Sequence, residues 1–166
     1  MSMMPHTPPF PPAVTWAWPC RIYPGDLAHA ARVRAELRAD LAALPGLGAD
    51  LVDAVELCAS EAFANAVAHT RSGRAGGRVV RALTRPAPDR LRLAVVDDGA
   101  PDTAPRIPVE RTAEEWATAE TGRGLLLISA LAAAWGTRPV VAFPGCAHLG
   151  TVVWAEFGPV RTEAAR

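Results

Sequence analysis

The stretch that decides the fold is Glu61-Ala-Phe-Ala-Asn65-Ala-Val-Ala-His69. Three polar side chains recur there at intervals of four within an otherwise apolar run, and Asn65 is the only asparagine of a chain that contains no glutamine. Residues four apart lie on one face of an α-helix, so Glu61, Asn65 and His69 are predicted to form a polar stripe on an otherwise apolar helix. Burying polar groups costs free energy unless a partner satisfies them, and a ligand is the best candidate for that partner.

The composition limits the classes of protein to which the chain can belong. Its 166 residues predict a single domain that is long enough to bury a core. Half of the residues are hydrophobic and the formal net charge is zero, which argues against a nucleic-acid-binding surface or a polybasic membrane anchor. No apolar run approaches the ~20 residues of a transmembrane helix, and the Pro-rich start lacks the features of a secretory signal. We therefore expect a cytoplasmic protein without nucleic-acid or membrane partners.

The chain is expected to form one folded unit between two mobile ends. Residues 1–13 are predicted to be a disordered Pro-rich N-terminus, residues 14–157 the domain, and residues 158–166 a flexible C-terminal tail.

Hydrophobic periodicity and turn residues predict the order of the secondary-structure elements. The expected helices are one that Asp26 caps, one from an Asp50 cap to His69, and one at 125–135. The segment 99–122 is expected to be a functional lid or a disordered connection. The expected strands are 15–22, 78–85, 90–97, 138–143 and 150–157. This order predicts an α/β fold, a two-layer sandwich with a mixed, mostly antiparallel sheet and helices on one face.

All 17 basic residues are arginines, and the absence of lysine excludes several enzyme classes. A P-loop uses a lysine at the phosphates, eukaryotic-type protein kinases need a strand lysine, and covalent lysine chemistry is impossible. The cysteines Cys20, Cys58 and Cys146 are far apart and show no paired metal-ligand spacing. We interpret them as small buried apolar residues, and a metal- or redox-sensing role ranks behind the other hypotheses.

Asp97 is a candidate binding residue because of its position in the predicted strand. In the run 90–99, alternation places Asp97 on the same face as the leucines, toward the core, whereas Asp98 beside it is an ordinary solvated charge. A carboxylate in that position needs hydrogen-bond donors, and Gly99 permits close backbone approach or an unusual dihedral angle. The alternative, a strand that ends in a common Asp-Gly turn, stays open on these residues alone.

Glycines mark two further candidate sites. Gly122-Arg123-Gly124 comes directly before the apolar helix, and glycines at a helix N-terminus expose N–H groups that can bind phosphate. The alternative is a simple turn from a loop into a helix. Gly150-Thr151 opens the last predicted strand, where an ordinary strand start is the favoured interpretation.

The order of these motifs resembles a known superfamily. Glu-x-x-x-Asn on a helix, Asp-x-Gly after a strand, a long irregular segment, Gly-x-Gly before a helix and Gly-Thr on a strand resemble the GHKL-type ATP-binding domain, the Bergerat fold of histidine kinases and gyrase. Within it, the runs 57–69 and 122–128 resemble the bacterial anti-sigma-factor serine/threonine kinases. The resemblance spans residues 14–157, and its motifs are specific as an ensemble.

The resemblance implies roles for the residues at the phosphate end of an ATP site. Asn65 would hold the Mg²⁺ that bridges the phosphates, since an amide oxygen is a hard, neutral ligand. Glu61, one turn earlier, would orient or deprotonate the attacking hydroxyl. Gly122 and Gly124 would wrap the phosphates, and Arg123 would reach one of them.

The resemblance also implies roles for the residues at the base end. Asp97 would accept a hydrogen bond from the adenine amino group, and its inward position on the strand agrees with this role independently. Gly99 would let the base lie against the backbone, and Thr151 would support adenine through a water molecule. His69 matches the family pattern, but no chemical role follows for it.

By this resemblance, the chain would transfer the γ-phosphoryl group of Mg-ATP to a serine or threonine of an anti-sigma-factor antagonist protein, and would sequester a sigma factor in another state. The presence of Glu61 favours this enzyme over the alternative, a catalytically idle module in which ATP orders the lid and so gates partner binding. A homodimer is implied by the resemblance only.

Overall fold

The computed structural model describes residues 16–99, 123–140 and 150–160. Within these residues, three α-helices accompany six β-strands. The helices are α1 (Ala30–Ala42), α2 (Ala49–His69) and α3 (Arg123–Leu131). The strands are β1 (Trp16–Ala17), β2 (Arg21–Pro24), β3 (Arg78–Ala87), β4 (Arg90–Val96), β5 (Ala134–Pro139) and β6 (Thr151–Phe157).

The strands form one sheet in the order β1-β3-β4-β6-β5, and β2 also pairs with β3. Every pairing among the described strands is antiparallel, in agreement with the predicted mostly antiparallel sheet. In β4, Leu91, Leu93 and Val95 are buried, and the residues between them are half-buried. The register extends this inner face across the sheet, because Val95 pairs with Val153 and Leu93 with Ala155.

Helix α2 forms the central part of the second layer. It packs against β3, β4 and β6 on one side, and it also contacts α1 and α3. Its buried side chains recur at helical spacing and face the sheet; they are Val55, Cys58, Ala59, Ala62, Phe63 and Ala66. The described α-helices therefore lie on one face of the sheet, which confirms the predicted architecture.

The boundaries of the first elements differ from the predictions. The predicted strand 15–22 is two short strands, because Pro19 has no N–H group to donate and interrupts the ladder. Gly48, not Asp50, is the N-cap of α2, and Asp50 lies in the first turn. Asp26 does act as a cap, but for the short 3-10 turn that precedes α1, where its carboxylate accepts a backbone hydrogen bond.

The third helix is shorter than the predicted 125–135. It ends at Leu131, and Trp135 lies in β5, so this strand begins at Ala134 instead of residue 138. Apolar runs of this kind are compatible with helix or strand. Here residues 134–139 form a strand, because β6 supplies hydrogen-bonding partners along the whole of β5.

A buried ion pair links α1 to the inner face of β3. Arg81 is 2% exposed and Asp40 is 8% exposed, and the distance from Arg81 Nη2 to Asp40 Oδ2 is 2.5 Å. Asp40 also accepts hydrogen bonds from Arg21 at 3.1 and 2.6 Å. Burial favours the neutral form of Asp40, but the hydrogen bonds from Arg21 and Arg81 outweigh this effect and hold the pKa of the carboxyl below its usual range.

The folded domain extends beyond its predicted end at residue 157. Val160 is buried in the core, and its N–H group donates to Asp89 O at 2.7 Å. This contact removes residues 158–160 from the predicted flexible tail. The predicted disordered residues 1–13, residues 100–122 of the predicted lid and residues 161–166 lie outside the described residues.

The cysteines agree only in part with their interpretation as buried apolar residues. Cys58 is buried, and burial, with a smaller contribution from the Glu61 carboxylate, raises the pKa of its thiol to about 11. Cys20 is exposed, because it lies in the interruption between β1 and β2, and Cys146 lies outside the described residues. Across the described ranges, no group of three or more His, Cys, Asp or Glu side chains is placed so that it could hold a metal ion. None of the helices described there has the length and apolar character of a membrane span.

Candidate functional site

At the start of α3, Gly124 lies against two side chains of α2. A Cβ atom added to Gly124 would lie 2.9 Å from Asn65 Nδ2 and 2.9 Å from Glu61 Oε2. At these distances the ends of the Asn65 and Glu61 side chains would have to move aside for a Cβ atom, so the glycine lets α3 begin in direct contact with both side chains. The structure thus brings together three of the candidate residues that the sequence analysis identified.

Glu61 and Asn65 are half-buried on this face of α2. Neither side chain makes a hydrogen bond or an ion pair with another residue that the structure describes. His69, the third member of the predicted stripe, is exposed, so solvent can satisfy it. The predicted need for a ligand therefore concerns Glu61 and Asn65, and it is weaker than full burial would make it.

The N-terminus of α3 lies at the same point. The helix begins at Arg123, and its second residue is Gly124. The first N–H groups of a helix have no partner within the helix and carry partial positive charge, which is typical of phosphate sites. Gly122 lies outside the described residues, and the phosphate contact of Arg123 stays a prediction.

Asp97 follows β4 and is 5% exposed, as its position in the strand predicts. Its Oδ1 accepts hydrogen bonds from Gly99 N–H at 2.6 Å and from Thr151 N–H at 3.2 Å. Its Oδ2 has no partner among the described residues. Burial raises the pKa of Asp97, the two N–H donors oppose this shift, and the charge of Asp98 adds to it. One carboxylate oxygen is thus held by the backbone, and the other remains available to a donor.

Two glycines allow the backbone to close around Asp97. Gly99 has a φ angle of +76° and Gly150 has a φ angle of +102°, both in the region that favours glycine. A Cβ atom on Gly150 would lie 1.6 Å from Asp97 O, and one on Gly99 would lie 3.0 Å from Gly150 Cα. The unusual dihedral angle and close approach predicted for Gly99 are present. Gly150, interpreted from the sequence as an ordinary strand start, is equally constrained.

Ser72 supports the segment after Asp97, and the sequence analysis did not identify it. Ser72 is fully buried; its Oγ accepts a hydrogen bond from Asp98 N–H at 2.9 Å and donates one to Arg78 O at 2.6 Å. Asp98 Oδ2 in turn accepts a hydrogen bond from Arg78 N–H at 2.7 Å. Asp98 is therefore a half-buried member of this network, not the ordinary solvated charge predicted for it.

Arg71 is a second residue that sequence reasoning missed. Its backbone N–H donates to Gly99 O at 2.9 Å, and its Nε lies 3.3 Å from both Asp98 O and Gly99 O. One sequence signal was available, the Thr70-x-Ser72 pair at the end of α2, because hydroxyl side chains at helix ends often bond to the local backbone. Here Thr70 Oγ1 accepts a hydrogen bond from Ser72 N–H at 3.1 Å.

The candidate residues therefore form two groups. Glu61, Asn65 and Gly124 meet where α3 begins, and Asp97, Gly99 and Thr151 meet where β4 ends and β6 begins. Helix α2 connects the two groups. Glu61 and Asn65 of the first group lie on α2, and Arg71, which follows the C-cap residue of α2, donates hydrogen bonds to Gly99 of the second.

The sequence of residues 23–139 matches the family profile of the histidine kinase-like ATPase domain. This range covers more than half of the 166 residues. It contains most of the candidate site and ends before Thr151. No curated protein matches the sequence.

Proposed function

Because the chain belongs to the histidine kinase-like ATPase domain family, we propose that it binds Mg-ATP and acts as a serine/threonine protein kinase of the anti-sigma-factor type. The observation that carries the proposal is the contact of Gly124 with Glu61 and Asn65. A carboxylate, an amide and a helix N-terminus meet in this contact. Phosphoryl transfer is catalysed mainly by positioning and by electrostatic stabilisation, which these groups can supply.

In the proposed complex the adenine base lies against Gly99 and its amino group donates to Asp97. The oxygen that accepts is Oδ2, because Oδ1 already receives hydrogen bonds from Gly99 N–H and Thr151 N–H. A base with a carbonyl group in place of the amino group would bring an acceptor against this carboxylate. Such a base is disfavoured, since both polar groups would be left without a donor.

The phosphates lie at the N-terminus of α3, where the partial positive charge of the helix dipole favours anions. Asn65 would hold Mg²⁺ through its amide oxygen, and the residue fits this role because its side chain makes no hydrogen bond within the described residues. When bound, the ion supplies charge neutralisation at the phosphates. Glycine at position 124 keeps the helix start close enough to α2 for both groups to contact one ligand.

Glu61 is proposed to accept the proton of the attacking hydroxyl group. The hydroxyl oxygen of the partner's serine or threonine forms a bond to the γ-phosphorus, and the bond from this phosphorus to the β–γ bridging oxygen breaks. ADP leaves with the bridging oxygen, and the hydroxyl proton passes to the Glu61 carboxylate. No described residue makes a hydrogen bond or ion pair to that carboxylate, so it is available for the proton.

The proposed phosphoryl acceptor is an anti-sigma-factor antagonist protein, and a sigma factor is the proposed partner in the other functional state. This part of the proposal rests on the resemblance of the runs 57–69 and 122–128 to the anti-sigma-factor kinases. A homodimer, a cytoplasmic location and the lack of nucleic-acid partners likewise stay predictions from the sequence.

The proposal is tested in two steps. Calorimetric titration with ATP is expected to show binding that weakens strongly when a chelator removes Mg²⁺. Purified anti-sigma-factor antagonists from the same genome are then incubated with the chain and γ-labelled ATP, and label on a serine or threonine supports the kinase. Mg-dependent binding without label on any antagonist would favour the alternative, an ATP-gated binding module. Absence of ATP binding would contradict both functions.

A further inference from the structure

Arg71 follows the C-cap residue of α2 and contacts the segment that carries Asp97. Its backbone N–H and its side-chain Nε both donate to Gly99 O, at 2.9 and 3.3 Å. The same Nε lies 3.3 Å from Asp98 O, so one guanidinium is shared between two successive carbonyl groups. Arg71 is half-buried, which reduces the competition of water for these contacts.

The remaining polar groups of the turn are fixed by other residues. Asp98 N–H donates to Ser72 Oγ at 2.9 Å, and Gly99 N–H donates to Asp97 Oδ1 at 2.6 Å. Among the described residues, the Arg71 side chain is the group that donates to both Asp98 O and Gly99 O. The position of the Asp97 carboxylate depends on this turn, because the turn supplies one of its two donors.

We infer that Arg71 is a positioning residue for recognition of the nucleotide base. Its guanidinium fixes Gly99, and through Gly99 the Asp97 carboxylate, relative to the helix that carries Glu61 and Asn65. The inference rests on the proposed binding of ATP and adds a residue that selects the adenine base. Arg71 does not need to touch the nucleotide in order to act.

The backbone contact alone does not account for this role. Every variant of residue 71 except proline retains the N–H group that donates to Gly99 O. The side chain adds a charged donor, and hydrogen bonds from charged groups are about twice as strong as those between neutral groups. An added Cβ on Gly99 would lie 3.6 Å from Arg71 Nη2, so the guanidinium also lies close to Gly99 itself.

The experiment compares ATP with inosine triphosphate, which has a carbonyl group where adenine has its amino group. The phosphates are the same in both ligands, so the ratio of the two affinities reports on base recognition alone. We expect Arg71→Met to weaken ATP binding by about tenfold, the range expected for a charged hydrogen bond, and to bring the ratio close to one. Arg71→Lys should give an intermediate ratio.

Arg74→Met is the matched control. Arg74 is an exposed arginine three residues after Arg71, and no contact of its side chain with residues 97–99 is described. The Arg74→Met variant should therefore keep the wild-type ratio. A wild-type ratio in Arg71→Met would overturn the inference, whether both affinities are unchanged or both fall by the same factor; an equal fall would indicate general loosening of the fold. Should Arg71→Met fail to fold, Arg71→Lys decides by the same ratio. Failure of the wild-type chain to bind ATP would remove the proposed function and the inference with it.

Discussion

Asp97 and Thr151 exchange two hydrogen bonds across the ends of β4 and β6. Asp97 N–H donates to Thr151 O at 3.0 Å, and Thr151 N–H donates to Asp97 Oδ1 at 3.2 Å. The first bond continues the antiparallel ladder, whereas the second turns a backbone donor onto a buried side chain. The pair therefore fixes the direction in which the second carboxylate oxygen faces.

We expect Asp97→Asn to lower ATP affinity by about tenfold or more, because a charge-assisted hydrogen bond to the adenine amino group is lost. The asparagine amide keeps an oxygen that can accept the hydrogen bonds from Gly99 N–H and Thr151 N–H. Calorimetry on the wild-type and variant chains measures the change. Unchanged affinity would contradict the assignment of Asp97 to the base.

Asp97→Asn is expected to weaken ATP binding but not to lower the stability of the protein without ATP. Because burial raises the folded-state pKa of Asp97 above its unfolded value, the carboxyl contributes stability below the unfolded pKa and loses it as the pH rises through the folded pKa. Asparagine avoids this loss, so Asp97→Asn should melt no lower than the wild type at pH 7. Any gain in stability of Asp97→Asn over the wild type should shrink as the pH falls toward about pH 4. Thermal unfolding at several pH values tests this, and a variant clearly less stable at pH 7 would contradict it.

Gly124→Ala is expected to fold but to bind Mg-ATP weakly. The added methyl group would lie 2.9 Å from both Asn65 Nδ2 and Glu61 Oε2, so these side chains must move or α3 must shift. We expect a loss of about tenfold or more in affinity, since small displacements of positioned groups are costly. Gly48→Ala is the control, because a Cβ there meets nothing within 4 Å. Equal ATP affinity in both variants would contradict the proposed phosphate site.

Glu61→Gln separates binding from chemistry. Glutamine has nearly the same shape but cannot accept the hydroxyl proton, so ATP affinity should stay within a few-fold of the wild type. Phosphoryl transfer to the antagonist should fall by about 10²–10⁴-fold, the usual contribution of a general base. Quench-flow measurement of labelled product tests this expectation. Transfer at the wild-type rate would show that Glu61 is not the base.

Asp40→Asn tests the buried ion pair away from the site. The variant leaves the 2% exposed Arg81 without its charged partner, and we expect a loss of about 3 kcal/mol in the free energy of unfolding at pH 7. Glu156→Gln, at the more exposed pair with Arg92, should cost less than about 1 kcal/mol. Urea denaturation at fixed pH measures both variants, and similar costs would contradict the importance of burial.

The effect of Asp40→Asn should depend on pH. The pKa of Asp40 is lowered in the folded state, so its charge contributes stability above the unfolded pKa and this contribution is lost as the pH falls through the folded pKa. The difference between the wild type and the variant should therefore narrow below about pH 4. A constant difference down to strongly acidic pH would mean that the Asp40 charge is not the cause.

The parts of the fold that follow from local periodicity could be predicted from the sequence. Alternation in β4 predicted the inward position of Asp97, and helical spacing predicted that Glu61 and Asn65 share a face. Helical spacing did not predict which residues of the stripe are buried, since His69 lies on the same stripe as Glu61 and Asn65 but is exposed. The family profile confirms the class of domain.

The remaining features depend on contacts between residues distant in the sequence. Arg81 occupies an inward position of β3, where an apolar residue is the usual choice, and its pairing with Asp40, together with a hydrogen bond to the Tyr23 hydroxyl, makes this acceptable. The roles of Arg71 and Ser72 require the end of α2 to meet the end of β4, 26 or more residues later. Gly150 is constrained by Asp97 O across the sheet, which no local pattern near residue 150 could indicate.

Helix α2 extends without interruption from Glu61 to its end at His69. At about 1.5 Å per residue this segment measures about 12 Å. It carries Glu61 and Asn65 of the proposed phosphate end, and Arg71, which contacts the proposed base end, follows its C-cap residue. The length of this segment therefore sets the spacing between the two proposed ends of the site. One residue inserted after Asn65 would turn Arg71 by about 100° around the helix axis. We expect such an insertion to displace Arg71 from the proposed base end, although every contacting side chain would still be present in the sequence.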